Sequence, residues 1–136
     1  MNGQANTGNP NGVQGVCPTY WHLPSDYEWT QLNNFYGGQA GNAGGKLKEA
    51  GTTHWNPPNT LATNESGFTG LPGGGRYFNG TNGLFYYEGT DGNWWTSTEY
   101  DDTRAFYHSL YYNSTIVDTG SNYKEDGFSV RCVRDN

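Results

Sequence analysis

Aliphatic side chains are scarce in this sequence. Leu, Ile, Val and Phe together supply 19 of 136 residues, a level at which chains ordinarily stay disordered. No apolar run approaches the ~18 residues that a membrane span needs, and nothing at the start of the chain reads as the apolar stretch of a signal peptide. Membrane insertion is therefore not expected. Basic residues are few, 7 Lys and Arg against 13 Asp and Glu. No basic run exists to neutralise phosphates, which argues against nucleic acid and anionic membranes as partners and leaves neutral and cationic ones open. The Gly-x-Ser-x-Gly elbow, the Walker loop and the His-Glu-x-x-His helix are all missing, and with them the usual nucleophile, phosphate and zinc signatures.

What is present argues against disorder. Charged residues are only 15% of the chain, so self-repulsion does not hold it open, and aromatics reach 16%. Each aromatic ring can bury roughly 150–250 Å². The core is read as aromatic, set in a frame of 21 Gly and 16 Asn. A chain of this length is one domain. Gly, Asn and Thr disfavour helix while Tyr, Trp, Phe and Thr suit strands, so short helices, strands and extensive loops are expected. Cys17 and Cys132 lie near the two ends; by count alone they are a disulfide or two buried thiols.

Along the chain, residues 1–15 read as a flexible Asn/Gly-rich leader and 16–136 as a single domain. Ser25 has the position of a helix N-cap, and Glu28 three residues on completes a capping box. Trp29, Leu32 and Phe35 follow at helical spacing, and Gly37-Gly38 ends this main helix as a left-handed cap. Residues 40–51 hold a short second helix or turn, with 46–49 extended. Residues 51–83 read as a long loop packed down by Trp55, Phe68, Leu71 and Tyr77. Strands are expected at 84–88, 94–98, 103–112, 115–118 and 128–134. The first two flank Gly89-Thr90-Asp91-Gly92 as a hairpin, and in the last Phe128, Val130 and Cys132 share one side.

Several segments together resemble the Fibrobacter succinogenes major paralogous domain. They are Gly12-Val13-Gln14-Gly15-Val16-Cys17-Pro18, Trp21-His22-Leu23-Pro24-Ser25 with Glu28-Trp29, Ala43-Gly44-Gly45-Lys46-Leu47-Lys48-Glu49, Ala62-Thr63-Asn64-Glu65-Ser66-Gly67-Phe68, Trp94-Trp95-Thr96-Ser97-Thr98-Glu99, and Gly127-Phe128-Ser129-Val130-Arg131-Cys132. The resemblance implies a bacterial secreted or surface-displayed module, a monomer or part of a larger surface protein, with Cys17 and Cys132 joined. It also implies an α+β fold of the C-type-lectin-like kind, in its formylglycine-generating-enzyme branch. That fold has one main capped helix, a short second helix, small antiparallel sheets and long ordered loops, and its first and last strands lie side by side.

The chemistry follows from the remaining polar residues. An oxidase of the formylglycine-generating type needs a reactive cysteine pair, which such a disulfide would consume. Carboxylates are available for glycoside hydrolysis, but sequence says nothing of their separation. His22, His54 and His108 form no metal motif. Calcium is the cation that the oxygens of Asn59, Asn64 and Glu65 would suit, as a structural ion; the competing use of such residues is in turns. Residues 99–126 are rich in Tyr, Ser, Asn and Asp, the composition of a contact surface for sugars or proteins. Tyr100, Asp101, Asp102, Tyr107, His108, Tyr111, Tyr112 and Asn113 are the candidate ligand-binding residues, with Phe106, Leu110 and Val117 inward. The expected function is non-catalytic binding of a glycan or protein ligand. Diversification of this interval by a retroelement, and a carboxylate-based hydrolase, are the alternatives.

Overall fold

A computed structural model describes residues 13–135. Its elements are β1 (Trp21–His22), α1 (Asp26–Phe35), α2 (Ala43–Leu47), β2 (Gly73–Tyr77), β3 (Leu84–Glu88), β4 (Asp91–Glu99), β5 (Arg104–Tyr111), β6 (Asp118–Tyr123) and β7 (Val133–Arg134). The class is α+β. A five-stranded sheet has the order β3-β2-β4-β5-β6, and a separate ladder joins β1 to β7. The main sheet is larger than expected and mixed, because β2 runs parallel to β4.

Helix α1 forms as its cap predicts. Glu28 N donates to Ser25 Oγ at 3.2 Å and Ser25 N donates to Glu28 Oε2 at 2.8 Å, so two otherwise orphaned N–H groups are satisfied reciprocally. Its inward stripe differs from the expected one. Trp29 is buried and Leu32 packs on the core, but Phe35 is 81% exposed and Tyr36 packs in its place. At 3.6 residues per turn, position 36 falls almost directly in line with 29, whereas 35 is rotated about a third of a turn away. Gly37 and Gly38 follow with φ of 95° and 60°, and donate to Asn34 O and Asn33 O. The second helix takes in Lys46 and Leu47, which were expected to be extended.

The expected hairpin across residues 89–92 does not form. Strand β3 pairs antiparallel with β2, and β2 lies between β3 and β4. Gly73-Gly74-Gly75 offers no side-chain pattern, so the stretch that became a central strand reads as loop. It is also why the strand fits: a Cβ on Gly75 would lie 2.6 Å from the Phe128 ring. Residues 115–117 precede rather than form β6, whose six residues include no aliphatic side chain. The expected strand over 128–134 shrinks to β7 and a bridge between Ser129 and Trp94. Residues 127–129 wedge between β2 and β4, bridging Arg76 antiparallel and Trp94 parallel. Val130, expected inside, is 37% exposed.

The leader expected over 1–15 lies mostly outside the described residues. Of its end, Val13 is buried and bridges Leu23. The Cys17–Cys132 disulfide is present, with Cα atoms 5.8 Å apart, beside the pairing of β1 with β7. The core gathers Trp29, Ala43, Leu47, Trp55, Trp94, Leu110 and Val117. Trp29, Trp94 and Phe68 meet with centroids 5.5–6.0 Å apart. At about 25 cal/mol per Å², a buried ring of this size stabilises by roughly 4–6 kcal/mol before entropy, about twice a Leu or Val. This is how a chain poor in aliphatics makes a core. The long loop packs as expected through Trp55, whose Nε1 donates to Gly70 O at 2.9 Å, although Leu71 is 43% exposed.

Candidate functional site

The main sheet has two unlike faces. Cross-strand partners Trp94 and His108, and Gly92 and Leu110, look toward α1 and the core. By the two-residue alternation of a strand, Asp91, Asn93 and Trp95 of β4 look the other way, with their partners Tyr111, Ser109 and Tyr107 of β5. From β6, Asp118 and Gly120 join them opposite Ser109 and Tyr107. Tyr77 completes this face from β2.

On this second face the rings form a continuous cluster. Phe128 lies over Gly75, with its centroid 4.6 Å from Trp95, 4.9 Å from Tyr107 and 5.7 Å from Tyr77. Tyr77 in turn meets Tyr87 at 5.9 Å and Tyr86 at 6.1 Å. Gly120 leaves room for Tyr107, whose hydroxyl would be 2.8 Å from a Cβ there. Trp95 is buried, Tyr77, Tyr107, Tyr111 and Phe128 are half-buried, and Tyr86 and Tyr87 are exposed. Tyr87 holds a φ of 66° with its backbone close against Gly74, a left-handed conformation that is costly for a bulky residue. Beneath the rings, Asn93 Nδ2 donates to Gly74 O at 3.2 Å and Ser109 Oγ donates to Asn93 Oδ1.

Burial sets the electrostatics of the patch. It pushes the Tyr77 hydroxyl up to about 12 and raises Tyr107 and Tyr111, and it raises the carboxyl of Asp91. The tyrosines therefore stay neutral donors at any physiological pH. Asp91 and Asp118 both act on Tyr107 and Tyr111 and push their ionisation further up.

The candidate residues from 99–126 fall in four places. Tyr107 and Tyr111 share the aromatic face. Tyr100 stands at the β4–β5 end under the Arg104 guanidinium, 4.5 Å from its ring, with Asp101 paired to Arg104 at 2.6 Å. The hydrogen bond from Arg104 holds the Asp101 carboxyl well below the usual carboxylate range. Asp102 is exposed beside it, its carbonyl accepting from Lys124 at 3.0 Å. Tyr112 packs against the core cluster and Asn113 is exposed in the following turn. His108 is 1% exposed, stacked on Trp29 at 5.3 Å and bonded to Asp26 Oδ1 at 2.9 Å. Burial lowers its pKa against the pull of Asp26, so it serves the core. Of the inward expectations, Leu110 and Val117 are buried and Phe106 is half-buried.

The cation candidates are engaged in local structure, save the Asn59 Oδ1 atom, which is buried without a hydrogen-bond partner. Asn59 donates to Glu49 O and Gly51 O at 2.9 and 2.6 Å, Asn64 bonds Thr69 through both ends of its amide, and Glu65 lies 3.9 Å from Lys46. Among the described residues, no three His, Cys, Asp or Glu gather as a metal site.

Reasoning from sequence missed Tyr77, Tyr86, Tyr87, Asp91, Trp95 and Phe128. A signal for part of this existed. Strict alternation within 94–98 and 103–112 separates Trp95, Tyr107 and Tyr111 from Trp94, His108 and Leu110. Nothing local places Phe128 or Tyr77 beside them.

The molecule is thus an α+β domain whose ends are closed by a disulfide and whose main sheet carries an aromatic face opposite the core. The chain belongs to the Fibrobacter succinogenes major domain family, whose model matches residues 5–134. No curated protein and no solved structure matches it.

Proposed function

We propose that this chain is a non-catalytic ligand-binding module that works outside the cytoplasm, and that its ligand is a glycan held on the tyrosine face of the main sheet. The observation that carries this reading is the cluster of Tyr77, Tyr86, Tyr87, Tyr107 and Phe128 about Trp95. Apolar ring faces suit the C–H faces of pyranoses, and neutral phenol hydroxyls beside Asp91 and Asp118 suit their hydroxyls. The pairing of β1 with β7 beside the Cys17–Cys132 bond supports a C-type-lectin-like arrangement. The disulfide also favours an oxidising compartment and leaves neither cysteine free for thiol oxidase chemistry.

The test is a glycan array followed by calorimetry on the best binder. Tyr87→Ala and Tyr111→Ala should each weaken binding about tenfold, the usual cost of truncating an anchoring aromatic. Tyr100→Ala, at the far end of the sheet, should leave affinity unchanged. Equal losses at Tyr100, or an array silent across all glycans, would overturn the reading.

A further inference from the structure

The charges around the tyrosine face are of one sign. Asp91 stands directly opposite Tyr111, and Asp118 stands opposite Ser109, which lies between Tyr107 and Tyr111 on β5. Both acids thus flank the same two rings. Neither has a Lys, Arg or His within ion-pair distance among the described residues.

The seven Lys and Arg residues of the chain lie elsewhere. Lys46 and Lys48 reach the carbonyls of Tyr36, Thr60, Tyr111 and Ser114 on the core side. Arg76 alternates to the opposite side of β2 from Tyr77 and donates to Asn82 O. Arg104 pairs with Asp101 and Lys124 with Glu99. Arg131 lies over the Phe68 ring at 4.4 Å, and Arg134 is on β7 in the separate ladder.

A half-buried carboxylate without a counter-cation is costly, and tyrosine faces attract ammonium groups through their ring quadrupole. From this charge complementarity we propose that the tyrosine face selects an amine-bearing glycan, a polymer of 2-amino-2-deoxy-pyranose units whose free ammonium sits between Asp91, Asp118 and the rings of Tyr107 and Tyr111. Anionic glycans, carrying sulfate or uronate, are repelled by the same two acids. This inference rests on the reading of the face as a glycan site and adds its charge preference.

Calorimetry at weakly acidic pH and low salt would compare β-1,4 oligomers of equal length made of glucosamine, N-acetylglucosamine and glucose. The glucosamine oligomer should bind about tenfold tighter than the glucose oligomer, as a few favourable charge and cation–π contacts would give. That preference should shrink as salt rises. In Asp91→Asn/Asp118→Asn the ratio of glucosamine-oligomer to glucose-oligomer affinity should fall from about ten to about one. The single variant Asp118→Asn, at an exposed position, reports the same loss in part if the double variant does not fold. Equal binding of the three oligomers, or a preference that survives in the variants, overturns the charge inference and leaves the glycan reading standing. Binding of none of the three overturns the charge inference, and an array silent across all glycans overturns the glycan reading with it.

Discussion

Lys48 offers the sharpest test of how this domain is held together. Its side chain is fully buried, and its ammonium donates to three backbone carbonyls, Thr60 O at 3.1 Å, Tyr111 O at 2.9 Å and Ser114 O at 2.8 Å. These acceptors come from the long loop, the end of β5 and the turn before β6, so one cation reinforces a junction that Thr60 N to Tyr112 O, at 2.8 Å, and Ser114 N to Tyr111 O, at 3.3 Å, also hold. No carboxylate accompanies it among the described residues. Burial therefore lowers its pKa from 10.5 to about 8, a shift that corresponds to roughly 3 kcal/mol of strain in the charged form at neutral pH. Against that stand three charge-assisted hydrogen bonds, each contributing about 1.5–3 kcal/mol. Replacing Lys48 by Met keeps the length, removes the desolvation cost and leaves three carbonyls unpaired. The balance predicts a loss of about 2–5 kcal/mol for Lys48→Met. At about 2.1 cal/mol/K per residue of unfolding entropy, this is a fall in Tm of roughly 7–17 °C.

The pH dependence supplies an independent signature. A lysine with a lowered folded pKa makes the fold less stable while it must stay charged. Stability therefore rises as pH climbs from about 8 toward the unfolded value of 10.5, until the unfolded tyrosines begin to ionise. Urea denaturation of the oxidised protein at closely spaced pH values should show this rise in the parent chain and a flat profile in Lys48→Met. A Lys48→Met protein as stable as the parent, or one that keeps the alkaline rise, would refute the argument.

Two further predictions concern the chain ends and the histidines. Replacing both cysteines by serine opens a loop with a sequence separation of 115 and should lower stability by about 4–5 kcal/mol on the chain-entropy model; a midpoint in urea unchanged by dithiothreitol would contradict it. His22 and His108 should tilt stability in opposite directions around pH 6.5. Burial pulls the His22 pKa down, but hydrogen bonds to Asp135 at 2.6 Å and Glu28 at 2.8 Å outweigh it and the pKa is raised. Its contribution is full below 6.5 and is lost as pH rises through the raised value. His108, lowered by burial, contributes above 6.5 and its share is lost as pH falls toward its folded value. Calorimetric melts should show the alkaline-side loss flattened in His22→Gln and the acid-side loss flattened in His108→Gln; an unchanged slope in either variant counts against the assignment.

Local chemistry alone determined a good part of this protein. The capping box at Ser25 and Glu28 closes within four residues, so α1 was readable at its start. The strand-favouring, aromatic-rich composition of 84–88 and 103–112 marked β3 and β5 to within a residue at each end. The family pattern paired the two cysteines. The aliphatic deficit, set against the aromatic surplus, correctly pointed to a core of rings.

Tertiary structure decided what depended on partners distant in sequence. Gly74 and Gly75 sit in an interior strand where the backbone of Tyr86 and the ring of Phe128 come close enough to exclude any side chain, and no pattern within the triplet records that. His108 looked like a surface residue among tyrosines, yet its register opposite Trp94 turns it onto Trp29. Lys48, a charge in a polar stretch, is buried because three carbonyls from elsewhere converge on it. The tyrosine face is assembled from β2, β3, β4, β5 and residue 128, segments spanning more than fifty residues of chain. Which side of the sheet each ring occupies follows from pairing register, and register is a property of the assembled sheet.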